Sequence, residues 1–544
     1  MDALIDEADG LEGLEIITRS GSPTSGSQLD KVSASYASEV VVLRNSESEG
    51  DVMSRDSDYA SEVATMLQVC KGGEGLAGQN VVFEANQADM HDTHPVTLAL
   101  RNPRLTTTRS RVSVFSGNEK LAKIMANSAM SSSFWQVIEQ FILDDSTSRG
   151  EEKGWAYFAI QDCPPPLRGK PFSAVFNAYQ DATLVGYWSP EKIDIAPKPS
   201  TPPPENSKLL FVGSQISTFK SRPPGKAMQR AAAVQGRHAI PTRADQSPQE
   251  RQRQRYPRRI MIVNADLQSP LTYGVISSIL DCAHAKARIT VVQTRGLWEG
   301  TSHALPKDKR LRVKRINDLD HASLVHAGVE QCDSLVLLQP SGGEGGQDKS
   351  PQEKDAESLI TALYLADIFK GKKAPNMVFS LQNSENAKDI QALFRGAGKG
   401  TEGGGEGAGV SVMSGENVIS SFFALVSRMP VFDGVLEELF SSYGSEIYAV
   451  DARDYLNPTP SPPSPSPSPS PSLSLPLSKK RRGSVGCGVG EVSFSYQALC
   501  DVAMARHKHT PIGYIEPGEA PVLNPSRARD FALSQHAKLV VIAE

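Results

Sequence analysis

Acidic side chains that occur in adjacent pairs are the groups in this sequence whose types and spacing could bind a metal ion. Calcium is held by six to eight oxygen atoms, so several carboxylates must come together to bind it. No EF-hand loop pattern is present, and a solvated acidic face is the alternative interpretation of the same residues. The candidate metal ligands of this type are Asp144, Asp145, Glu151, Glu152, Glu437 and Glu438.

Residue patterns that carry catalysis or nucleotide binding are missing from the sequence. A dinucleotide is held by glycines at the first strand-to-helix turn, and residues 264–270 (NADLQSP) contain none. Gln293 stands where a ribose-binding carboxylate is expected, and residues 403–407 (GGGEG) lack the Lys-Ser/Thr of a P-loop. His507 and His509 have no third metal ligand nearby. We therefore predict no catalytic and no cofactor-binding residues, which disfavours an NAD-linked oxidoreductase.

Composition limits the class of protein further. The 544 residues carry a formal net charge of −5, which argues against nucleic-acid binding as the role of the whole chain. The six cysteines form no CxxC pair, as in a protein of a reducing compartment without structural zinc. No apolar run reaches the roughly 20 residues of a membrane span, and the acidic N-terminus lacks a signal peptide. Taken alone, the chain is predicted to be soluble.

An internal duplication organises the chain. Residues 112–142 align with residues 410–440 without a gap, and nine of the 31 positions are identical. Shorter matches follow in the same order, and their shared order argues against chance. These pairs are 39–43 with 334–338, 82–83 with 378–379, 157–160 with 447–450, 183–187 with 510–514, and 208–212 with 538–542.

Short apolar runs alternate with helical patterns inside each repeat. In the second repeat, strands are predicted at 260–263, 289–292, 334–338, 377–380 and 410–413, and helices at 272–284 and 357–369. Strands buried on both faces and separated by helices indicate a parallel, doubly wound α/β sheet. Shorter alternating strands after about residues 151 and 443 indicate a small α+β lobe.

The predicted domain order follows from these patterns. It comprises a tail (1–10), a first Rossmann-like lobe that is incomplete at its N-terminus (11–143), a first small α+β lobe (144–214), a basic disordered linker (215–256), a second Rossmann-like lobe (257–442), and a second small α+β lobe (443–544) with a Ser-Pro-rich insertion at 456–490. The four acidic residues Asp144, Asp145, Glu151 and Glu152 then lie at the hinge between the first two lobes.

Two stretches carry excess positive charge or low complexity. Residues 220–259 hold eleven Lys or Arg against two acids, and the Ser-Pro run at 458–476 is followed by KKRR at 479–482. Three interpretations are open for the basic segments: contact with anionic lipid headgroups, a nuclear localisation signal, or a solvated linker. The Ser-Pro run is typical of extended chain and is a docking site if the protein is a non-catalytic scaffold.

Several short stretches resemble a known family. They are RSGSP at 19–23, LAGQNVVFE at 76–84, VLEELF at 435–440, VLNP at 522–525 and VIAE at 541–544. In this order they resemble the RCK-type (regulator of potassium conductance) cytosolic region of plant CASTOR/POLLUX ion channels. The resemblance covers about residues 11–213 and 256–544, without the linkers.

The resemblance implies a fold and a function. The expected fold is two tandem Rossmann-like (RCK/TrkA-N-like) parallel-sheet lobes, each followed by a small α+β lobe. The expected function is that of the regulatory region of a cation channel, with calcium as candidate ligand and residues 134–142 and 432–440 as linking helices that hinge and form dimer contacts. Expected partners are further copies in a gating ring and a pore domain that is missing or on another chain. The expected membrane is the nuclear envelope, with a plastid envelope as the alternative, and contact with anionic lipids is expected through residues 220–259.

Family members carry transmembrane helices and a pore upstream of this region. The first lobe starts late by comparison, because the strand and helix before Ile16 and Ile17 are missing. A longer protein is therefore favoured over a soluble subunit. A soluble scaffold or ligand-sensing subunit stays open as the alternative function.

Overall fold

The structure is a computed structural model, and it describes most of the predicted elements. The described residues are 22, 24–43, 64–65, 80–84, 111–142, 157–179, 182–189, 192–213, 256–267, 269–298, 305–339, 349–394, 409–429, 431–441, 446–452, 455, 494–517, 519–525, 532–534 and 536–543. They divide into two compact units. The first unit lies within Met1–Glu119 and Phe422–Asp433, and the second within Lys120–Ser421 and Gly434–Glu544.

The first unit contains a three-stranded parallel sheet. Its elements are α1 (Gly26–Lys31), β1 (Glu39–Val42), β2 (Asn80–Glu84) and β3 (Arg111–Phe115), with the strands in the order β1-β2-β3. Val81, Val82 and Phe83 of β2 are buried, as expected for a strand between two others. The ring of Phe115 packs against Phe422 and Phe423, with centroid distances of 6.1 and 4.8 Å.

Two helices and an antiparallel sheet follow. They are α2 (Gly117–Met130), α3 (Ser132–Ile142), β4 (Tyr157–Asp162), α4 (Phe172–Ala178), β5 (Ala182–Trp188), β6 (Ile193–Ile195) and β7 (Lys208–Gly213), and the sheet order is β4-β7-β5-β6. Helix α4 places Phe172 and Phe176 against the sheet, where they form a core with Tyr179 and Phe211.

The second repeat begins with a complete doubly wound lobe. Its elements are β8 (Arg259–Val263), α5 (Pro270–Cys282), β9 (Arg288–Gln293), α6 (Arg295–Trp298), β10 (Leu311–Arg315), α7 (His321–Ala327), β11 (Ser334–Leu337), α8 (Pro351–Ile368), β12 (Asn376–Leu381), α9 (Asn386–Phe394) and β13 (Val410–Ser414). All six strands are parallel in the order β10-β9-β8-β11-β12-β13. This is the doubly wound order, and it confirms the predicted α/β class of tandem Rossmann-like lobes.

The rest of the second repeat has the architecture of the first. It comprises α10 (Gly415–Arg428), α11 (Val431–Phe440), β14 (Glu446–Asp451), β15 (Phe494–Ser495), α12 (Tyr496–Val502), β16 (Thr510–Ile515), β17 (Val522–Leu523), β18 (Ala532–Leu533) and β19 (Lys538–Ala543). The main sheet order is β14-β19-β16-β17. The first small sheet has the same order, β4-β7-β5-β6, with each strand in the place of its equivalent in the second repeat.

The duplication extends to strand register. Val81 pairs with Val112 in the first repeat as Met377 pairs with Val410 in the second. Helices α2 and α10 end at residues 130 and 428, and α3 and α11 end at 142 and 440, so both pairs keep the offset of the aligned sequences. One predicted match is wrong by one residue. Asp162 pairs with Lys208 as Asp451 pairs with Lys538, so β4 residues 157–160 correspond to 446–449 rather than 447–450.

Several elements of the second lobe escaped prediction for physical reasons. Edge strand β10 reads LRVKR and exposes four of its five side chains, so it shows no apolar run. Helix α8 begins at Pro351, six residues before the predicted start, because Ser350 and Glu353 form a capping box. Helices α7 and α9 are short and were not predicted.

The predicted linkers and domain boundaries are not tested by these elements. Residues 1–10, 215–255 and 456–490 lie outside the described part of the chain, and so do the glycine-rich residues 403–407. No helix in the described ranges combines the length and apolar character that a membrane span requires.

Candidate functional site at the junction of the repeats

The predicted calcium ligands fall into two groups. Asp144, Asp145, Glu151 and Glu152 lie outside the described residues. Glu437 and Glu438 lie on α11, one of the two predicted linking helices. Within the described ranges, no three His, Cys, Asp or Glu side chains come together in a cluster that could hold a metal ion. The calcium hypothesis therefore stays a prediction, and the structure gives Glu437 specific partners of another kind.

Glu437 forms ion pairs with two lysines of the first repeat. Its Oε2 lies 2.5 Å from Lys120 Nζ, and its Oε1 lies 2.5 Å from Lys123 Nζ. The lysines are three residues apart on α2 and therefore point to the same side of that helix. Burial raises the pKa of Glu437, but the Lys120 charge and the hydrogen bonds from both lysines outweigh burial and lower this pKa to about 2. Glu437 is thus ionised at neutral pH.

Backbone carbonyls at the ends of these helices are also bound across the junction. Asn376, the first residue of β12, donates from Nδ2 to the carbonyl oxygens of Ser128 and Ala129, at 2.6 and 3.0 Å. Asn127 Nδ2 lies 3.4 Å from the carbonyl oxygen of Phe440, the last residue of α11. The last carbonyls of a helix lack partners inside it, so these two asparagines stabilise the ends of α2 and α11.

Close packing accompanies the polar contacts. The rings of Phe134 on α3 and Phe440 on α11 meet edge to face, with centroids 6.0 Å apart. Gly434 lets α11 approach the first small sheet, since a Cβ there would lie 2.5 Å from Ile193 Cδ1. Both predicted linking helices thus contact residues of the other repeat.

The two small sheets share a buried hydrogen bond. Thr183 of β5 donates from Oγ1 to Asn524 Oδ1 at 2.9 Å, and both residues are buried. Asn524 has a φ of 49°, in the left-handed region that asparagine tolerates better than most residues. The two repeats are therefore in contact at the small sheets as well as at the helices.

The nucleotide position of the doubly wound lobe has an asparagine where a glycine would be expected. Asn264 follows β8 with a φ of 61° and donates from Nδ2 to the carbonyl oxygen of Leu338 at 3.2 Å. Gln293, at the end of β9, donates to the carbonyl oxygen of Ala265. These side chains link the carboxyl ends of β8, β9 and β11, the edge at which dinucleotides bind in doubly wound folds.

Sequence reasoning missed a buried carboxylate, which lies at the carboxyl ends of β11 and β12. Asp355 on α8 is 1% exposed, and each of its two oxygens accepts two hydrogen bonds. The donors are Gln339 Nε2, Gln382 N, Asn383 N and Asn386 Nδ2, at 2.8 to 2.9 Å. The signal was present in the sequence, because Asp355 falls on the buried stripe of α8 with Ser358, Ala362 and Leu365.

Lys120 could likewise have been recognised from the sequence as a residue that needs a partner. It is buried on the face of α2 that also buries Ile124 and Ser128, and a buried lysine requires a partner. The sequence could show that such a partner exists. It could not show which of the 62 acidic residues the partner is.

Comparison with known proteins agrees with this architecture. No protein-family model matches the chain, and no curated protein matches it by sequence. Among solved structures, the human SLO3 gating ring superposes with a TM-score of 0.62 at 12% identity, over 96% of this chain and 90% of that chain. The chain has the fold of a gating ring. At this identity the likeness shows the fold alone.

Two further structures are similar at a lower level. The GsuK RCK domain has a TM-score of 0.33 at 12% identity, over 99% of this chain and 85% of that chain. The GsuK channel bound to NAD has the same TM-score and identity, over 99% of this chain and 70% of that chain. The gating-ring fold rests on the SLO3 comparison and on the duplicated lobes.

Proposed function

We propose that this chain is the regulatory part of an ion channel, and that copies of it assemble into a gating ring attached to a pore domain. The observation that carries the proposal is the fold shared with the human SLO3 gating ring over 96% of the chain. The CASTOR/POLLUX type is part of the proposal and is supported by the short sequence stretches that resemble that family. Placement at the nuclear envelope rests on the same resemblance.

The junction of the repeats supplies the mechanical part of the proposal. Two lobes joined by packed helices can hinge, and a ligand that prefers one hinge angle shifts the population toward it. The ion pairs of Glu437 with Lys120 and Lys123 hold α2 and α11 in one arrangement. A ligand that favours a different arrangement has to overcome these ion pairs, so they bias the hinge toward the arrangement seen here.

Calcium is the regulatory ligand in this proposal. Its candidate ligands are the acidic residues at 144, 145, 151 and 152, because Glu437 already offers both oxygens to lysines in this arrangement. The basic residues between 220 and 259 are proposed to contact anionic headgroups of the membrane that holds the pore. A channel regulator needs no catalytic groups, which agrees with the sequence patterns.

A chimeric channel tests the proposal. The gating ring of the human SLO3 channel is replaced by this chain, and currents are recorded from excised patches with and without calcium. We expect open probability to respond to calcium and to shift when Glu437→Gln weakens the junction. The matched control Glu416→Gln, at an exposed residue in the first turn of α10, should leave open probability unchanged. Chimeras that conduct normally but respond neither to calcium nor to Glu437→Gln would contradict the proposal.

A further inference from the structure

The amino ends of β8, β9 and β10 bring three basic stretches of the sequence together. All three strands are parallel, so they begin at the same edge of the sheet, which we call the amino edge. Arg259 lies opposite Arg288 in the register of β8 and β9, and Arg288 N donates to the carbonyl oxygen of Arg258. Ile289 N donates to the carbonyl oxygen of Arg310, just before β10. Like charges that face each other across strands repel, so this edge favours an anionic partner.

Positive charge outweighs negative charge among the described residues of the amino edge. Asp333 is bound by Arg259, and Asp308 is bound by Arg310, so two of its acids have basic partners within the lobe. Asp281, near the end of α5, adds a further negative charge. The remaining basic residues of the edge are all exposed, and they are Arg258, Lys286, Arg288, Lys307, Lys309 and Arg312.

The opposite edge of the same sheet has the reverse charge. Acidic residues follow the carboxyl ends of β8, β10 and β12, and Arg295 after β9 is the exception. These acids are Asp266, Asp318, Asp320 and Glu385. A strand such as β8 spans roughly 16 Å, about twice the Debye length at physiological salt. The two edges therefore act as separate surfaces, and the lobe is basic on one of them.

An anionic membrane fits this one-sided charge better than a nucleic acid does. A planar surface touches the amino edge alone, and the acidic edge then lies beyond the range of its charge. The net charge of −5 opposes a long polyanion that reaches past the edge. The basic stretch 220–259, proposed above to contact lipid headgroups, also ends on this edge at Arg259.

We propose that the amino edge of the second doubly wound lobe binds the anionic headgroups of a phospholipid membrane. The guanidinium groups of Arg258, Arg288 and Arg312 donate to headgroup phosphates, and the exposed lysines add attraction. The stretch 220–259 and the amino edge then form one continuous contact, which turns the acidic carboxyl edge away from the membrane. The inference rests on the proposed function for the presence of a nearby membrane, while the surface itself follows from the charges of the lobe.

Co-sedimentation of the full chain with vesicles tests this binding. Phosphatidylcholine vesicles that contain about 30% phosphatidylserine should bind the chain at physiological salt, and vesicles of phosphatidylcholine alone should not. Each cation at an anionic surface strengthens binding by about fivefold, so Arg288→Gln together with Arg312→Gln should lower the partition coefficient about twentyfold. No binding to the anionic vesicles would overturn the proposal.

A matched double variant separates the amino edge from net charge. Lys198→Gln together with Lys388→Gln removes the same charge from exposed lysines outside the edge, and it should lower the partition coefficient less than about twofold. Equal losses in the two double variants would overturn the proposal, because net charge or the stretch 220–259 would then explain the binding.

Two further results assign the partner and keep the tests apart. Duplex DNA that displaces the vesicles at the same salt, and whose binding Arg288→Gln with Arg312→Gln weakens as strongly, would show that the edge takes a nucleic acid and would overturn the proposal. We expect no such displacement. The chimeric channel is an independent test, because a chimera without a calcium response contradicts the proposed function and leaves vesicle binding unchanged.

Discussion

Lys120 and Glu437 are 317 positions apart in the sequence, and their charged groups lie 2.5 Å apart in the structure. The lysine is 5% exposed and the glutamate 51%, so the pair lies at the edge of the packed junction. Lys123 binds the second oxygen of the same carboxylate. The Glu437 carboxylate of the second repeat thus binds both lysines on one face of α2 in the first repeat.

The pH dependence of stability should report this ion pair. The pKa of Glu437 is lowered to about 2 in the folded chain, from an ordinary value of 4.5. A lowered pKa stabilises the fold above about pH 4.5, and this contribution disappears as pH falls through 2. Because half of the side chain is exposed, we expect Glu437→Gln to lower the free energy of unfolding at pH 7 by about 1 kcal/mol. Denaturant unfolding between pH 7 and 3 measures the difference.

Glu438→Gln is the matched control for the pH experiment. It changes the neighbouring residue in the same way and should have little effect at any pH. A difference between wild type and Glu437→Gln that is the same at pH 3 and pH 7 would contradict the assigned ion pair.

Replacing the buried carboxylate of Asp355 should destabilise the doubly wound lobe. Asparagine offers one acceptor oxygen in place of two, and its amide group would face two of the four donors that now bind Asp355. We expect Asp355→Asn to lower the free energy of unfolding by about 3 kcal/mol. Asp367→Asn on the same helix, at a side chain that is 69% exposed, should change it little. Equal effects would argue against the network.

Two equivalent glycines should be intolerant of any side chain. Gly186 and Gly513 each follow a register shift in their strand, and a Cβ would lie 2.3 Å from the Asp194 carbonyl oxygen or 2.4 Å from that of Val522. We expect alanine at either position to cost about 2 kcal/mol or more in thermal or denaturant unfolding. Gly371→Ala, with a φ of 71° and open space around it, should cost about 1 kcal/mol. Costs in the reverse order would contradict the steric explanation.

A double-mutant cycle should detect the hydrogen bond between the small sheets. Thr183→Val removes the donor to Asn524 Oδ1 while keeping the shape of the side chain. We expect this change to cost about 1 to 2 kcal/mol in the wild type. In an Asn524→Gly background, which keeps the left-handed backbone, the cost should fall by about 1 kcal/mol. Identical costs in both backgrounds would mean that the two side chains do not interact.

Local sequence patterns were sufficient to predict the strands that are buried on both faces. The strand at 260–263 and the strand at 377–380 were predicted within one residue at each end, because both faces of a parallel strand are buried and the apolar run is continuous. Edge strand β10 was missed because its charged side chains are solvated. The match of residues 157–160 slipped by one because β4 and β14 share little sequence that fixes register.

The sequence by itself determined the fold class and the duplication, since apolar periodicity and repeated order are written along the chain. Only the tertiary structure decided which distant side chains meet. It paired Glu437 with Lys120 and Lys123, and it brought four donors to Asp355 from three separate elements. It also showed that Val41 is exposed where Val336 is buried, although both lie in similar apolar runs. The physical reason is that a side chain's type fixes what partner it requires, while the packing of whole elements fixes which partner comes within reach.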